Sequence, residues 1–375
     1  MGIGKQTPTE EELRASIQLS LLEGIGPRRF AELVTHFGSA CQVLAHSGHQ
    51  LAEVTSLQPR QFSDLHSPGN HARAAEILAH CRRSETHVLL SQSQDYPALL
   101  REIHDPPPIL YIRGNRLPRD DLSLAIVGTR FATPYGLEMA RRLSTAAVQR
   151  GFTVVSGLAR GIDGMAHDAA IRAGGRTIAV LGGGLERIYP AEHTTLAGQV
   201  IESGMLASEH PPRADPTAGA FPRRNRLISG MALGLIVVEA PGRSGALITA
   251  QLALEQGREV FAVPGPINQN SSRGCHQLIR EGAVLIESLD HVIEELGPLA
   301  KETRDPKGQR IRHPAELDLN DLERRVLTTM ETRPTSIDQV IRSSGVPAAQ
   351  VLSILSVLEV RQLICREPGQ QVRRT

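Results

Sequence analysis

The middle of the chain is built from short apolar runs that each break at glycine. Five such runs lie between residues 124 and 265 and read LAIVGTR, TVVSGLARGID, TIAVLGGG, GLIVVEAPGRSGALITA and EVFAVPG. Continuous apolar, β-branched runs of this length are typical of strands that are buried on both faces of a parallel sheet. The glycines then mark the carboxyl ends of the strands. Open α/β sheets bind ligands there, and glycine lets backbone N–H groups approach an anion.

Helical patterns separate these runs at regular intervals. Helices are expected from about Pro134 and Ile162, over 192–203 and 246–256, and in the segment FPRRNRLISGMA. Strands that alternate with helices in this way predict a doubly wound parallel sheet of the α/β class. Strands in HVLLSQ and PPPILYIRG are expected to join this sheet ahead of its first glycine turn, and AVLIES to close it.

A separate domain is expected before the sheet domain in the sequence, and another after it. The predicted segments are a helical domain over 1–84, the sheet domain over 85–298, a charged, proline-containing linker over 299–316 and a last domain over 317–375. In the first domain, the turn Gly24-Ile25-Gly26 fits either a helix-hairpin-helix, whose amides hold a DNA phosphate, or a structural bundle of the sterile-alpha-motif (SAM) type. The last domain has three helical patterns and a hairpin-like tail, which predict a winged helix. Such a domain reads a DNA groove or binds a protein partner, and its mostly apolar third helix favours the partner.

Arginine dominates the basic residues. Among 41 basic residues in a chain of 375, only Lys5, Lys301 and Lys307 are lysines. Arginine binds phosphate through two parallel hydrogen bonds and stacks on bases, although GC-rich coding would produce the same excess. Aromatic residues make up 3% of the chain and tryptophan is absent. A nucleic-acid site would therefore depend on arginine and backbone amides more than on aromatic stacking.

Several functional classes lack their motifs. The first turn, GTRFATPYG, carries arginine where the dinucleotide motif G-x-G-x-x-G requires its second glycine, and G-x-x-x-x-G-K-[ST] does not occur. The four cysteines are scattered without metal-binding spacing, and the chain shows neither a signal peptide nor a membrane-spanning run. We therefore expect a cytoplasmic protein with free thiols, no cofactor, no metal and no membrane association.

The candidate binding residues lie at the glycine turns. Arg130, directly after a predicted strand, is interpreted as a phosphate clamp rather than as half of a surface salt bridge. The run 223–226 places positive charge at a helix start, against the helix dipole, which favours a binding role. Asp163 is either a helix cap or a catalytic group, and His167 is expected to be a packed core histidine. The full set of candidates is Gly128, Thr129, Arg130, Ser156, Gly157, Arg160, Gly161, Gly182, Gly183, Gly184, Arg223, Arg224, Asn225, Arg226, Ser244 and Gly245.

Eight blocks of sequence occur together in an informative order. They are IVGTR (126–130), SGLARGIDGMAH (156–167), LGGGLERIYP (181–190), SEHP (208–211), FPRRNRLISG (221–230), VVEAPGRSGALITA (237–250), VFAVPGPI (260–267) and GCHQLIREGA (274–283). Together they resemble the DNA-processing protein A family (DprA/Smf) over about 86–298. The resemblance implies an extended Rossmann fold that is not an enzyme. It also implies a homodimer that binds single-stranded DNA and loads a RecA-type recombinase during natural transformation.

The same resemblance implies where DNA binds. Arg130, the glycine loops at Gly157 and Gly183, and the element Arg224-Asn225-Arg226 would lie in a positively charged DNA pocket. Some family members carry a lysine in this pocket. Lysine is absent from 85–298 of this chain, so arginine would have to substitute for it.

A nucleotide-processing enzyme is the alternative function. The segment PGRSGALIT at 241–249 loosely resembles the P-G-G-x-G-T-x-x-E signature of phosphoribohydrolases on a related Rossmann scaffold. However, Arg243, Ala246 and Thr249 stand where that signature requires glycine, threonine and glutamate. Glu209 and Glu239, at predicted strand ends, either do acid–base chemistry or hold an arginine of the 223–226 run.

Overall fold

The computed structural model describes residues 8–55, 57–297, 321–330, 334–360, 363–367, 369 and 371–374. The chain divides into two compact units, Met1–Val292 and Ile293–Thr375. The predicted linker over 299–316 lies outside the described residues. No single helix in the described ranges is long and apolar enough to span a bilayer. Ile337–Ser344 and Ala348–Glu359 reach that length only as a pair, and the pair is bent by 113°.

A helical bundle begins the first unit. Its helices are α1 (Glu10–Ser20), α2 (Pro27–Phe37), α3 (Ala40–Leu44), α4 (Gly48–Thr55) and α5 (Pro68–Arg83). The side chains of Thr9, Ser39 and Ser67 accept hydrogen bonds from first-turn amides and thereby start α1, α3 and α5. Buried residues such as Leu19 and Leu33 form the core of the bundle. This is the helical domain that the sequence predicts.

A nine-stranded sheet forms the centre of the same unit. Its strands are β1 (His87–Leu90), β2 (Ile109–Gly114), β3 (Ser123–Val127), β4 (Thr153–Ser156), β5 (Thr177–Val180), β6 (Met205–Ser208), β7 (Gly234–Val237), β8 (Glu259–Ala262) and β9 (Val284–Leu285). Their order across the sheet is β1-β2-β6-β5-β4-β3-β7-β8-β9. β3 to β9 pair in parallel. β1 and β2 are antiparallel to their neighbours. The sheet is therefore mixed, whereas the sequence predicted a parallel sheet. The sequence could not show this difference, because apolar periodicity identifies a strand but not its direction.

Helices cover both faces of the sheet. They are α6 (Ala98–Arg101), α7 (Pro134–Gln149), α8 (Ile162–Arg172), α9 (Thr194–Ser203), α10 (Ala220–Gly230), α11 (Gly245–Glu255) and α12 (Arg273–Arg280). A further helix, α13 (Leu289–Leu296), follows β9 in the chain, and short 3-10 turns lie at Pro59–Phe62, Pro118–Asp121, Ala191–His193 and Asn270–Ser272. One core joins the strands to α10, α11 and α12 through Leu227, Ala250 and Leu278. A second core contains Ala197 of α9 and Leu78 of α5. The doubly wound α/β architecture is thereby confirmed.

The order of the strands reverses beside β3. From β3 the chain continues to β4, β5 and β6 on one side and then to β7, β8 and β9 on the other. Ligands of open α/β sheets bind at such a switch point, beyond the carboxyl ends of the strands. Gly161, with φ of +72°, packs against the backbone of Thr129 and Arg130, where a side chain would collide. The turns after β3 and β4 therefore touch each other.

The second unit contains three helices and a small sheet in its described residues. They are α14 (Asp321–Leu327), α15 (Ile337–Ser344), α16 (Ala348–Val360), β10 (Thr335–Ser336), β11 (Ile364–Glu367) and β12 (Gln371–Arg374). The strand order is β10-β12-β11, and both pairs are antiparallel. Val351, Leu355 and Leu358 direct α16 towards the core of this unit. The predicted hairpin-like tail is the β11–β12 pair.

Candidate functional site

A pocket lies over the carboxyl ends of β3, β4 and β5. It is lined by Arg130, Gly157, Ala159, Arg160, Tyr189, Pro190, Phe221 and Arg224, and we call it the arginine pocket. The turn after β3 supplies Arg130, the turn after β4 supplies Gly157 and Arg160, and α10 supplies Phe221 and Arg224. Three arginines from three separate parts of the sequence therefore converge at one edge of the sheet.

Arg224 is a buried cation at the base of the arginine pocket. Its side chain is almost fully enclosed, with 4% of the residue exposed. Its Nη1 donates hydrogen bonds to the carbonyl oxygens of Gly157, at 2.8 Å, and of Val180. Burial lowers the pKa of Arg224 to about 10, against the opposing effect of Asp163, so the guanidinium stays charged at neutral pH. A Cβ on residue 157 would lie 2.7 Å from Nη2 of Arg224.

The turn after β4 is held by side chains of the same unit. The amide of Gly157 donates to the Asp163 carboxylate at 3.1 Å, and the amide of Leu158 donates to Nε2 of His167 at 3.3 Å. His193 Nδ1 donates to the Leu158 carbonyl at 2.9 Å. Leu158 has φ of +55°, an uncommon conformation for a residue with a side chain, which these bonds hold in place.

These contacts change the interpretation of two sequence candidates. Asp163 does not cap α8, because it lies inside the helix, which begins at Ile162, and its carboxylate accepts a hydrogen bond from the Gly157 amide instead. Burial raises the pKa of Asp163, against the opposing effect of Arg224. His167 is confirmed as a core histidine: it is fully buried and contacts Thr177 at 2.7 Å through Nδ1. Burial lowers its pKa to about 3, so the ring is neutral and accepts the bond from Leu158.

Two aromatic rings lie beside the exposed arginine of the arginine pocket. The guanidinium carbon of Arg130 is 5.6 Å from the centre of the Phe221 ring, within the range of a cation–π contact. The rings of Tyr189 and Phe221 are 5.4 Å apart and tilted by 52°. Both residues lie inside sequence blocks noted above, but the low aromatic content hid their importance. Position within those blocks was the signal that would have identified them.

Arg160 is partly neutralised at the rim of the arginine pocket. It forms an ion pair with Glu192, and about half of each side chain is exposed. The hydrogen bond from Arg160 lowers the pKa of the Glu192 carboxyl. Among the described residues Arg130 has no ion-pair partner, so its charge is available to a ligand.

The predicted 223–226 cluster separates into different environments. Arg226 is 6% exposed and bonds Asp105 at 3.0 Å and Glu209 at 2.6 Å, away from the arginine pocket. Arg223 is exposed, so the two arginines differ in burial although they are only three positions apart on α10. Neighbouring residues of a helix point in different directions. Arg226 points towards Asp105, which precedes β2, and Glu209, which follows β6. Asn225 contacts the carbonyl of Gly245 at 3.4 Å.

The glycine run after β5 is a packing feature. A Cβ on Gly183 would lie 2.9 Å from the nitrogen of Pro216, and one on Gly184 would collide with carbonyls of Pro211 and Pro212. A Cβ on Gly182 would lie 2.9 Å from the Phe221 ring. The segment that leads into α10 therefore packs over this run. The expected row of amides open to a ligand is not formed by Gly184, whose N–H donates to Ala214 at 2.8 Å.

The remaining candidates shape the neighbouring turns. The Thr129 amide donates to the Glu239 carbonyl at 2.7 Å, and the Ser156 hydroxyl to the Ile126 carbonyl at 2.6 Å. A Cβ on Gly128 would lie 2.5 Å from the Ile162 side chain. Ser244 caps α11 by accepting the Ala246 amide at 3.3 Å. These contacts support the edge of the sheet, and direct binding by these residues stays a prediction.

The two carboxylates at the strand ends, Glu209 and Glu239, already accept hydrogen bonds from other residues of the chain. Glu209 bonds Arg226, as one of its two interpretations predicted. Glu239 accepts from the amide of Thr133 at 2.9 Å and from its hydroxyl at 2.6 Å. Thr249, where the phosphoribohydrolase signature requires glutamate, is buried and bonds the Gly245 carbonyl at 3.2 Å. Across the described ranges, no group of three or more His, Cys, Asp or Glu side chains is arranged to hold a metal.

Sequence comparison with known proteins covers nearly the whole chain. The family model described as DNA recombination-mediator protein A matches residues 87–297, and the model of the DprA winged helix domain matches 311–370. The chain is 34% identical over 385 residues to Protein Smf of Synechocystis sp., an alignment that covers 95% of this chain and 97% of that protein.

Two solved structures are similar in fold. DNA processing protein A (DprA) of Streptococcus pneumoniae has a TM-score of 0.65 and 32% identity, covering 77% of this chain and 99% of that one. DNA processing protein A of Helicobacter pylori has a TM-score of 0.51 and 28% identity, and that structure was reported for the single-stranded DNA binding mode of the Helicobacter pylori protein. It covers 56% of this chain and 95% of its own. The chain therefore belongs to the DprA/Smf family of DNA recombination-mediator proteins.

Proposed function

We propose that this chain binds single-stranded DNA in the arginine pocket and acts as a recombination mediator without catalysing a reaction. The observation that carries the proposal is the convergence of Arg130 and Arg224 with the rings of Tyr189 and Phe221. The single-stranded DNA binding mode described for the related Helicobacter pylori protein supports the same ligand.

The chemistry of the arginine pocket suits an unpaired strand. A guanidinium binds the phosphate with charge-assisted hydrogen bonds, and an aromatic ring stacks on a base. In a duplex the base faces are already stacked and paired, so Tyr189 and Phe221 would have no access to them. Arg130 supplies exposed charge, whereas the buried Arg224 supplies a fixed positive potential from below.

The wider role follows from family membership. We propose that the chain forms a homodimer, works in the cytoplasm and loads a RecA-type recombinase onto DNA that enters during natural transformation. A phosphoribohydrolase activity is not favoured, because Thr249 replaces the glutamate of that signature and the nearby Glu239 is bonded to Thr133.

Fluorescence anisotropy with the full chain tests the DNA-binding proposal. We expect single-stranded oligonucleotides to bind more tightly than duplexes of the same sequence, with affinity falling steeply as salt rises. Arg130→Ala should weaken binding roughly 10- to 100-fold, which corresponds to one charged hydrogen-bonding group, and should reduce the log–log salt slope by about 0.7.

Arg119→Ala is the matched control for this experiment. Arg119 is also an exposed arginine, but it precedes β3 and therefore lies at the opposite, amino end of the strand. The Arg119→Ala substitution should leave both the affinity for single-stranded DNA and its salt dependence unchanged. Equal effects of the two substitutions would refute binding in the arginine pocket, and a preference for duplex DNA would refute the proposed ligand.

A further inference from the structure

A second, larger depression lies on the other side of Arg130. It has a volume of about 600 Å³ and is bounded by the start of α7, by α8, by α9 and by the segment that leads into α9. Its apolar lining includes Phe131, Leu137, Met165 and Leu196, and we call it the outer groove.

The outer groove is continuous with the arginine pocket. Arg130 lines both. Arg160, which lines the arginine pocket, pairs with Glu192, which lines the outer groove. Gly161, which also lines the outer groove, packs closely against the backbone of Thr129 and Arg130, so the two turns that carry Arg130 and Arg160 are in direct contact. A flexible polymer held by Arg130 on one side can therefore pass directly to the other.

The chemistry of the outer groove suits bases rather than free anions. The Phe131 side chain is unusually open to solvent, since 87% of the residue is exposed. The carboxylates in the groove are paired: Asp168 with Arg172 at 2.8 Å, and Glu192 with Arg160. The groove thus offers an unobstructed aromatic face with little net negative charge to repel a DNA strand. Aromatic rings stack on any base, so such a site does not require a particular sequence.

We propose that a DNA strand bound in the arginine pocket continues across Arg130 into the outer groove, where one of its bases stacks on Phe131. This inference rests on the proposed function and extends it, because it assigns a second subsite and a longer footprint. Arg130 holds the phosphate between the two subsites.

A length series with the full chain tests this footprint. Affinity is measured for oligothymidylates of about 4 to about 16 nucleotides, a span that covers the site sizes of single-strand binders. Phe131→Ala should weaken binding of the longest oligonucleotides about tenfold, the loss expected for one base–aromatic stack, and should leave the shortest unaffected. Ile267→Ala is the control, because Ile267 is an equally exposed apolar residue (88%) outside the outer groove.

The outcomes separate the two proposals. If the unaltered chain binds no single strand of any length, the proposed function and this inference both fail. If the unaltered chain binds but Phe131→Ala has no effect, or the same effect at every length, only this inference fails.

Photocrosslinking gives an independent measure of contact with Phe131. Oligonucleotides that carry 5-iododeoxyuridine crosslink to neighbouring aromatic residues. Trypsin cleavage after Arg130 and after Arg187 puts Phe131 and Tyr189 on different peptides. Long oligonucleotides should label both peptides, and short ones only those of the arginine pocket. Phe131→Leu should abolish labelling of the first peptide although Tyr135 remains on it. A groove that holds a protein partner instead would leave that peptide unlabelled at every length, which overturns the inference.

Discussion

Arg224 carries its charge where water reaches it poorly. Carbonyl oxygens of Gly157 and Val180 replace part of the lost hydration, and burial lowers its pKa to about 10. The arrangement depends on the absence of a side chain at residue 157, because the guanidinium fills the space that a Cβ would take. A single glycine thus allows a fixed cation below the proposed binding surface.

Gly157→Ala should therefore reduce both stability and DNA affinity. The added methyl group must displace a guanidinium that is enclosed and bonded on two sides, and we expect the free energy of unfolding to fall by about 1–3 kcal/mol. Urea denaturation and anisotropy measure the two effects. Gly198→Ala is the control: Gly198 lies within α9 with open space around it, so alanine there should stabilise by about 0.5–1 kcal/mol. A Gly157→Ala chain with unchanged stability and affinity would contradict this account of Arg224.

At the level of elements, α10 combines two arginines with different tasks. Arg224 faces the arginine pocket, whereas Arg226 ties the helix to Asp105 and to Glu209 at the end of β6. Truncating one partner of such a buried pair is strongly destabilising, since it leaves charges unpaired. The same helix is therefore anchored on one side by a buried ion pair and presents a cation and the Phe221 ring on another.

The segment before α9 contains a carboxylate that would compete with a bound DNA strand for Arg160. Glu192 forms an ion pair with Arg160, and a phosphate would have to replace its carboxylate. Glu192→Gln should therefore strengthen single-strand binding by about two- to fivefold, since exposed ion pairs contribute little individually. Anisotropy at low and high salt measures the change, which should shrink as salt screens the charges.

Glu138→Gln provides the comparison for this substitution. Glu138 also pairs with an exposed arginine, Arg141, but both lie on α7 outside the two sites. Both substitutions raise the net charge equally, so equal gains would mean that Glu192 acts only through net charge. No gain from Glu192→Gln would mean that its carboxylate does not compete with the strand.

At the scale of the whole first unit, the helical bundle and the sheet share a core. Ile17 of α1 and Leu78 of α5 pack in the same cluster as Tyr111 of β2 and Leu206 of β6. Arg28 of α2 also bonds His104 at 3.0 Å. The boundary predicted between residues 84 and 85 separates two types of secondary structure, but it crosses one continuous core.

Truncation at the two ends should consequently have unequal effects. A chain that ends at residue 297 keeps the first unit intact and should fold and bind single-stranded DNA like the full chain. A fragment of 86–298 exposes Tyr111 and its neighbours, and should lose at least ~5 kcal/mol, since each large apolar side chain contributes roughly 1.5–3 kcal/mol when buried. Thermal unfolding of both fragments measures this, and equal melting temperatures would contradict the shared core.

Local sequence was sufficient for much of this protein. Apolar, β-branched runs and the glycines that end them determined the strands, their helices and the α/β class, because these preferences act within a few residues. The position of Arg130 and Arg160 after strand ends was enough to predict the edge of the sheet at which they lie. The direction of β1 and β2 was not predictable in this way, because strand direction depends on pairing with distant strands.

Tertiary structure decided which of the predicted residues meet. Arg224 and Arg226 are two positions apart and alike in type, yet one faces the arginine pocket and the other bonds Asp105, 121 residues away in sequence. Tyr189 and Phe221 become a pair only because the segment before α10 folds over the glycines after β5. Burial and pairing of a charge depend on neighbours that are remote along the chain. The sequence by itself therefore determined the edge of the sheet and its chemistry, and only the packing decided which side chains form the site.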